Sequence, residues 1–220
     1  MMKNILNEFK TAYKIVGYGA KIKVNFMMAG LFLLLGIIFE FASKGTQITG
    51  SFYIVLSGMF LYQMIMSSDI STLVQASPYK KKIQCHYPMI AVIPWMFIAL
   101  TIVLIIHYVF TLQDASQLQE QCQNLIVLGG CIFFMLTYFG IAYKYFIGAT
   151  AFMVVSIMVM MFGANAYFRS PMAVELSFAG CVIFDYVASI AGCVLCKLFT
   201  ELLYKKDLSP LAFRGLIKKG

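Results

Sequence analysis

Residues 24–42 read VNFMMAGLFLLLGIIFEFA, nineteen positions of which one, Glu40, is ionisable. A run of that length and polarity suffices to cross the hydrocarbon core of a bilayer as a helix. The rest of the chain repeats the pattern. Of 220 residues, 61% are hydrophobic and 12% charged, with a mean hydropathy of +0.85, whereas soluble domains carry about 25% charged residues. Further apolar runs cover residues 52–66, 89–110, 124–143, 146–162 and 176–203. The second is short for a span, which an earlier start, a tilt or protein contact would accommodate. Lipid offers the backbone no hydrogen-bond partner, so each span is expected to be an α-helix. The fold class is all-α: a polytopic membrane protein of six transmembrane helices.

Lysine and arginine set the expected orientation. Fourteen of them (Lys3, Lys10, Lys14, Lys21, Lys23, Lys80, Lys81, Lys82, Lys144, Lys205, Lys206, Arg214, Lys218 and Lys219) fall on one side of the span pattern, and Lys44 and Arg169 fall on the other. Lys197 sits near the end of the sixth span, where it can snorkel. By the positive-inside rule both termini are cytoplasmic, and the expected location is the plasma membrane. The net charge of +8 is accounted for by insertion and anionic lipid, so no nucleic-acid partner is needed.

Three regions follow: residues 1–23, 24–203 and 204–220. The first has no compact apolar core before a cleavage site, so it does not read as a signal peptide. It reads as an interfacial amphipathic helix, with Ile5, Leu6, Phe9, Ala12, Tyr13 and Val16 on one face and Lys3, Asn7, Lys10 and Lys14 on another. A topology-fixing basic start fits it equally well. Gly17 and Gly19 permit a bend into the first span. Residues 24–203 are the transmembrane domain, and residues 204–220 form a basic cytoplasmic tail.

Motifs for catalysis are scarce. Cys85 and His86 are adjacent, and a Cys/His pair can serve as nucleophile and base. Neighbours on a helix point about 100° apart, however. Membrane peptidases of the quorum-sensing type place the histidine several residues before the cysteine, unlike this order. No serine-hydrolase, zinc-helix or phosphate-loop motif is present, so the chain is expected to be neither an enzyme nor a nucleotide binder. Cys131, Cys181, Cys193 and Cys196 fall in spans, Cys85 on the basic side and Cys122 on the other, so no disulfide within the chain is expected. The CVLC spacing at 193–196 lacks further metal ligands.

Ionisable residues in spans are functional candidates by default. Glu40 and His107 lie near span ends, where solvated roles fit at least as well. Asp185 lies deeper and, with Asn165 and Asn124, is a candidate for lining a substrate path; a locally hydrogen-bonded structural acid is the equal alternative.

The longest polar interruption is SSDISTLVQASPYKKKIQCHYP, residues 67–88. From Asp69, the positions Ile70, Leu73 and Val74 follow helical spacing; Pro78 after Ser77 suits the first turn of a new helix, which Tyr79 and Lys80, Lys81 and Lys82 continue. The stretch LVQASPYKKKI, residues 73–83, together with the order of spans, resembles the type-2 ATP-binding-cassette (ABC) permeases, in which a coupling helix between the second and third spans docks an ATPase. The resemblance implies an exporter subunit acting as a homo- or heterodimer, with ATP and Mg bound by a separate ATPase and no cofactor in this chain. It implies that Asp69, Ile70, Leu73, Val74, Pro78, Tyr79 and Lys80 to Lys82 form the ATPase contact, and that a hydrophobic peptide or small amphiphile is moved outward. Other six-helix readings are the vitamin-binding subunit of an energy-coupling-factor importer and a Cys/His membrane peptidase.

Overall fold

The computed structural model describes residues 2–17, 22–69, 74, 76–170 and 174–206. Within them the chain is an all-α membrane protein whose seven helices comprise α1 (Met2–Val16), α2 (Ile22–Ser43), α3 (Ile48–Asp69), α4 (Tyr87–Gln113), α5 (Leu118–Ala142), α6 (Phe146–Phe168) and α7 (Phe178–Leu203). Six, α2 to α7, are long and apolar enough to cross a membrane. Their ends outrun the apolar runs that announce them. α3 begins four residues earlier than the run at 52–66, and α6 continues through the polar residues after 162. The helical hydrogen-bond ladder does not stop where apolarity does, because water at the interface hydrates polar side chains while the backbone remains paired.

α5 is the central helix. It packs on α3, α4, α6 and α7, and Leu125, Leu128, Ile132, Met135 and Leu136 on it are fully buried. Its closest neighbour is α7, and the approach depends on glycine: a Cβ at Gly140 would stand 2.6 Å from the carbonyl oxygen and 2.8 Å from the Cα of Cys196. Tyrosine hydroxyls pin the same half of the bundle. Tyr62 on α3 donates to the Phe139 carbonyl (2.6 Å), with its ring stacked on Phe139, and Tyr143 donates to the Thr200 carbonyl (2.6 Å). In contrast, α2 and α6 bury little of their surface, leaving Met27, Leu34 and Ile38 and then Val155, Val159 and Phe162 exposed. Such faces suit a hydrocarbon solvent.

The end of the bundle carrying α1 and residues 77–86 is called the basic end. There α1 packs on α4 and α3, with Ala12 buried and the Tyr13 hydroxyl 3.5 Å from the Ala91 carbonyl. Residues 18–21, including Gly19 of the expected bend, and the tail from residue 207 lie outside the described residues. Lys144 departs from its expected place on a polar surface. It is buried between α5 and α6 with its ammonium 5.4 Å from the Tyr143 ring centroid, because the connection there is too short to carry it clear of the bundle.

Candidate functional site

At the basic end, residues 77–87 build a tight corner. The Ser77 amide donates to the Val74 carbonyl (3.2 Å), the Lys80 amide to the Ser77 carbonyl (3.1 Å), and the Tyr79 amide to Ser77 Oγ (3.1 Å). Pro78 needs no acceptor at this point because its nitrogen carries no hydrogen. The chain then resumes as helix. Ile83 donates to the Tyr79 carbonyl (3.0 Å), and a wide five-residue turn, Lys82–His86, closes when Tyr87 donates to the Lys82 carbonyl. This turn passes directly into α4, so Lys82–Gln113 is one helical stretch of 32 residues. Tyr79 projects from the corner, 65% exposed, and Pro78, Lys81 and Lys82 are also exposed. Val74 is helical and half-buried and Lys80 starts the new helix; Ile70, Leu73 and the side chain of Asp69 lie outside the described residues.

Cys85 and His86 have separate surroundings. Cys85 is buried with Sγ 3.8 Å from the Thr200 carbonyl on α7, while the exposed His86 ring meets Glu8 of α1 at 3.5 Å. Consecutive helical positions turn the two side chains toward different helices.

The opposite end carries a polar cavity of about 410 Å³, lined by Glu120, Gln123 and Asn124 of α5, Asn165 and Arg169 at the end of α6, and Thr46. One wall is the turn between α2 and α3, where Lys44 and Gly45 adopt positive φ of 52° and 74°. α5 holds this turn: Gln121 Nε2 donates to the Lys44 carbonyl and Asn124 Nδ2 to the Gly45 carbonyl, each at 3.0 Å. Beneath Gly45, a Cβ in place of its hydrogen would lie 3.0 Å from the His107 ring.

That ring belongs to a sealed cluster, which corrects the expectation of solvated ends. Glu40, Ser51 and His107 are all buried. His107 Nε2 lies 2.5 Å from Glu40 Oε1, Ser51 donates to Glu40 Oε2 at 2.9 Å, and Ser51 Oγ stands 3.3 Å from the same Nε2. The three helices α2, α3 and α4 each contribute one member. A burial that would be costly for any member alone is offset by mutual hydrogen bonding. The geometry differs from a hydrolytic triad, in which acid and hydroxyl occupy different ring nitrogens. Here both engage Nε2, and Nδ1 has no partner among the described residues.

Asp185, the eighth residue of α7, is fully buried, and neither carboxyl oxygen has a hydrogen-bond partner among the described residues. It packs against α5 where Gly129 leaves room for its Oδ1. Asn124 and Asn165 line the same polar cavity, and Asp185 is not in its lining. All six cysteines are free thiols. Cys122, placed outside the spans by the sequence, is buried, and Cys181 Sγ lies 3.6 Å from its carbonyl near the same ends of α7 and α5. Ser51 and Gln121 had no distinguishing pattern in the sequence, whereas Glu40 and His107 shared one signal, two ionisable residues at matching span ends. Comparison with protein-family models, with curated proteins and with solved structures finds no match.

Proposed function

We propose that the chain is the transmembrane subunit of a type-2 ABC exporter, acting as a homo- or heterodimer in the plasma membrane with both termini cytoplasmic. A separate ATPase binds ATP and Mg, and a hydrophobic peptide or small amphiphile moves outward. The observation that supports this reading is the corner at residues 77–87. An exposed aromatic, Tyr79, and exposed lysines are presented on a turn that runs without interruption into a full span, so a partner bound at the corner acts directly on a helix reaching the far end. An exposed helix corner that docks into a soluble subunit transmits rigid-body motion in this way. In this reading the polar cavity around Asn124 and Asn165 is the exit side of the path, and Lys80 to Lys82 flank the docking face.

Cysteine at Tyr79 or Leu73 is expected to crosslink to a co-expressed ABC ATPase, and Leu73→Asp is expected to uncouple ATP hydrolysis from export while insertion and dimerisation persist. A normally inserted Leu73→Asp protein that exports unchanged, with no crosslink at either position, overturns the reading. Orientation is tested in the same background. An impermeant thiol reagent applied to intact cells is expected to label a cysteine at Ser116 and to spare one at Tyr79.

A further inference from the structure

A second cavity, of about 250 Å³, opens at the basic end between the Lys82–His86 turn and the last turns of α7. Lys81 and Lys82 line it from one side and Lys197 and Glu201 from the other, with Met89 and the buried Cys85 beneath. Three ammonium groups thus face one carboxylate. Among the described residues none of the three lysines is in an ion pair, and Glu8 engages His86, the remaining basic group on the rim. Like charges gathered in a concavity beside low-dielectric lipid repel one another, and a bound anion relieves that repulsion. Lys197 sharpens the point. It lies about 9 Å from the end of α7, counting about 1.5 Å per residue, so its side chain reaches the interface by snorkelling toward the basic end, where this cavity opens.

We propose that this cavity binds the phosphate of an anionic phospholipid. The shared chemistry is a phosphate oxyanion held by Lys81, Lys82 and Lys197. The apolar floor selects the lipid over free phosphate, because Met89 and Cys85 offer a surface to glycerol and acyl chain that an inorganic ion leaves uncovered. The concave form also distinguishes the site from the convex corner at Tyr79, which suits a protein. A bound phosphate joins the turn before α4 to the end of α7, so the lipid becomes a structural link between the third and sixth spans.

The test uses the full chain, purified and delipidated in detergent, titrated with phosphatidylglycerol, phosphatidylcholine or inorganic phosphate and read by native mass spectrometry. Phosphatidylglycerol is expected to bind at least tenfold more tightly than phosphatidylcholine, and each Lys→Gln replacement at 81, 82 or 197 is expected to weaken it about fivefold. Lys197→Arg is expected to retain binding, and Lys44→Gln, at the opposite end, to leave it unchanged. These lysines are exposed, so the single variants are expected to fold. Equal binding of the two lipids, or unaltered phosphatidylglycerol binding in Lys82→Gln and Lys197→Gln, overturns the proposal. Displacement of the lipid by inorganic phosphate at comparable affinity overturns it in favour of a free-anion site. Gln variants that keep the lipid but lose the Tyr79 crosslink overturn it in favour of an acidic protein surface.

Discussion

Glu40 and His107, 67 positions apart in the chain, meet at 2.5 Å with neither side chain reaching solvent. Removing one member of such a pair leaves the other buried without its partner, which costs about 3–5 kcal/mol, whereas replacing both with apolar residues is often neutral. Glu40→Leu and His107→Leu are therefore each expected to lower the thermal midpoint in detergent strongly. The double variant is expected to recover most of the loss. Singles that melt like the wild type would remove the cluster from the account of stability.

Two glycines provide a matched contrast. A side chain at Gly140 meets the Cys196 backbone, but one at Gly148 on α6 meets nothing within 4 Å. Gly140→Leu is expected to force α5 and α7 apart and destabilise the fold by about 1–3 kcal/mol or more. Gly148→Leu is expected to be tolerated, with some gain in helix propensity. Size-exclusion recovery and melting of the two variants side by side check the difference.

Asp114, in the link between α4 and α5, accepts hydrogen bonds from the Ser116 hydroxyl (2.6 Å) and amide (3.0 Å). The hydroxyl first and the amide second hold its carboxyl below the ordinary carboxylate value, with a smaller contribution from Lys44. Because the folded value is lower than the unfolded one, the stabilisation is complete above the unfolded value and is lost as pH falls through the folded one. Ser116→Ala is expected to raise the Asp114 value toward the ordinary range, which shrinks the stabilisation and makes its loss complete at a higher pH. Carboxyl-carbon NMR on aspartate-labelled protein reads the shift.

Cys122 and Cys181 provide a distance test of the α5–α7 contact. With the other four cysteines replaced, a membrane-permeant oxidant is expected to join the pair within one chain, seen as the loss of two hydrogen atoms in the intact mass. Cys181 Sγ stands 3.6 Å from the Cys122 carbonyl oxygen, and the bond forms if the Cα atoms lie within the roughly 4.4–6.8 Å that a disulfide requires. Absence of the bond in a folded sample would place the two thiols further apart than described.

The six spans were legible because each is a long apolar run, a signal carried by composition alone. Their ends were not: Ile48 to Ser51 are helical although polarity there suggests a loop, since interfacial helices keep their ladder in the presence of water. The corner at Ser77 and Pro78 was legible through its turn chemistry, and its expected helix does resume at Lys80. The Glu40–Ser51–His107 cluster was only half visible. Local pattern marks ionisable residues, but which of them meet depends on how α2, α3 and α4 are rotated, and that is decided by packing across the bundle. The same holds for Cys122 and Cys181, whose proximity follows from the close α5–α7 approach that glycines permit.

The uninterrupted stretch Lys82–Gln113 sets an angular tolerance. From Lys82 to His107 it runs about 38 Å, so a tilt of about one degree about the corner carries His107 sideways by about 0.7 Å. Well-formed N–H···O contacts occupy a distance range of only about 0.5 Å. Any larger rocking of this helix must either part His107 from Glu40 or sweep Glu40 and Ser51 along with it. The far ends of α2, α3 and α4 are therefore geared together, and the distance between two atoms at one face of the membrane measures the inclination of a rod whose handle is at the other.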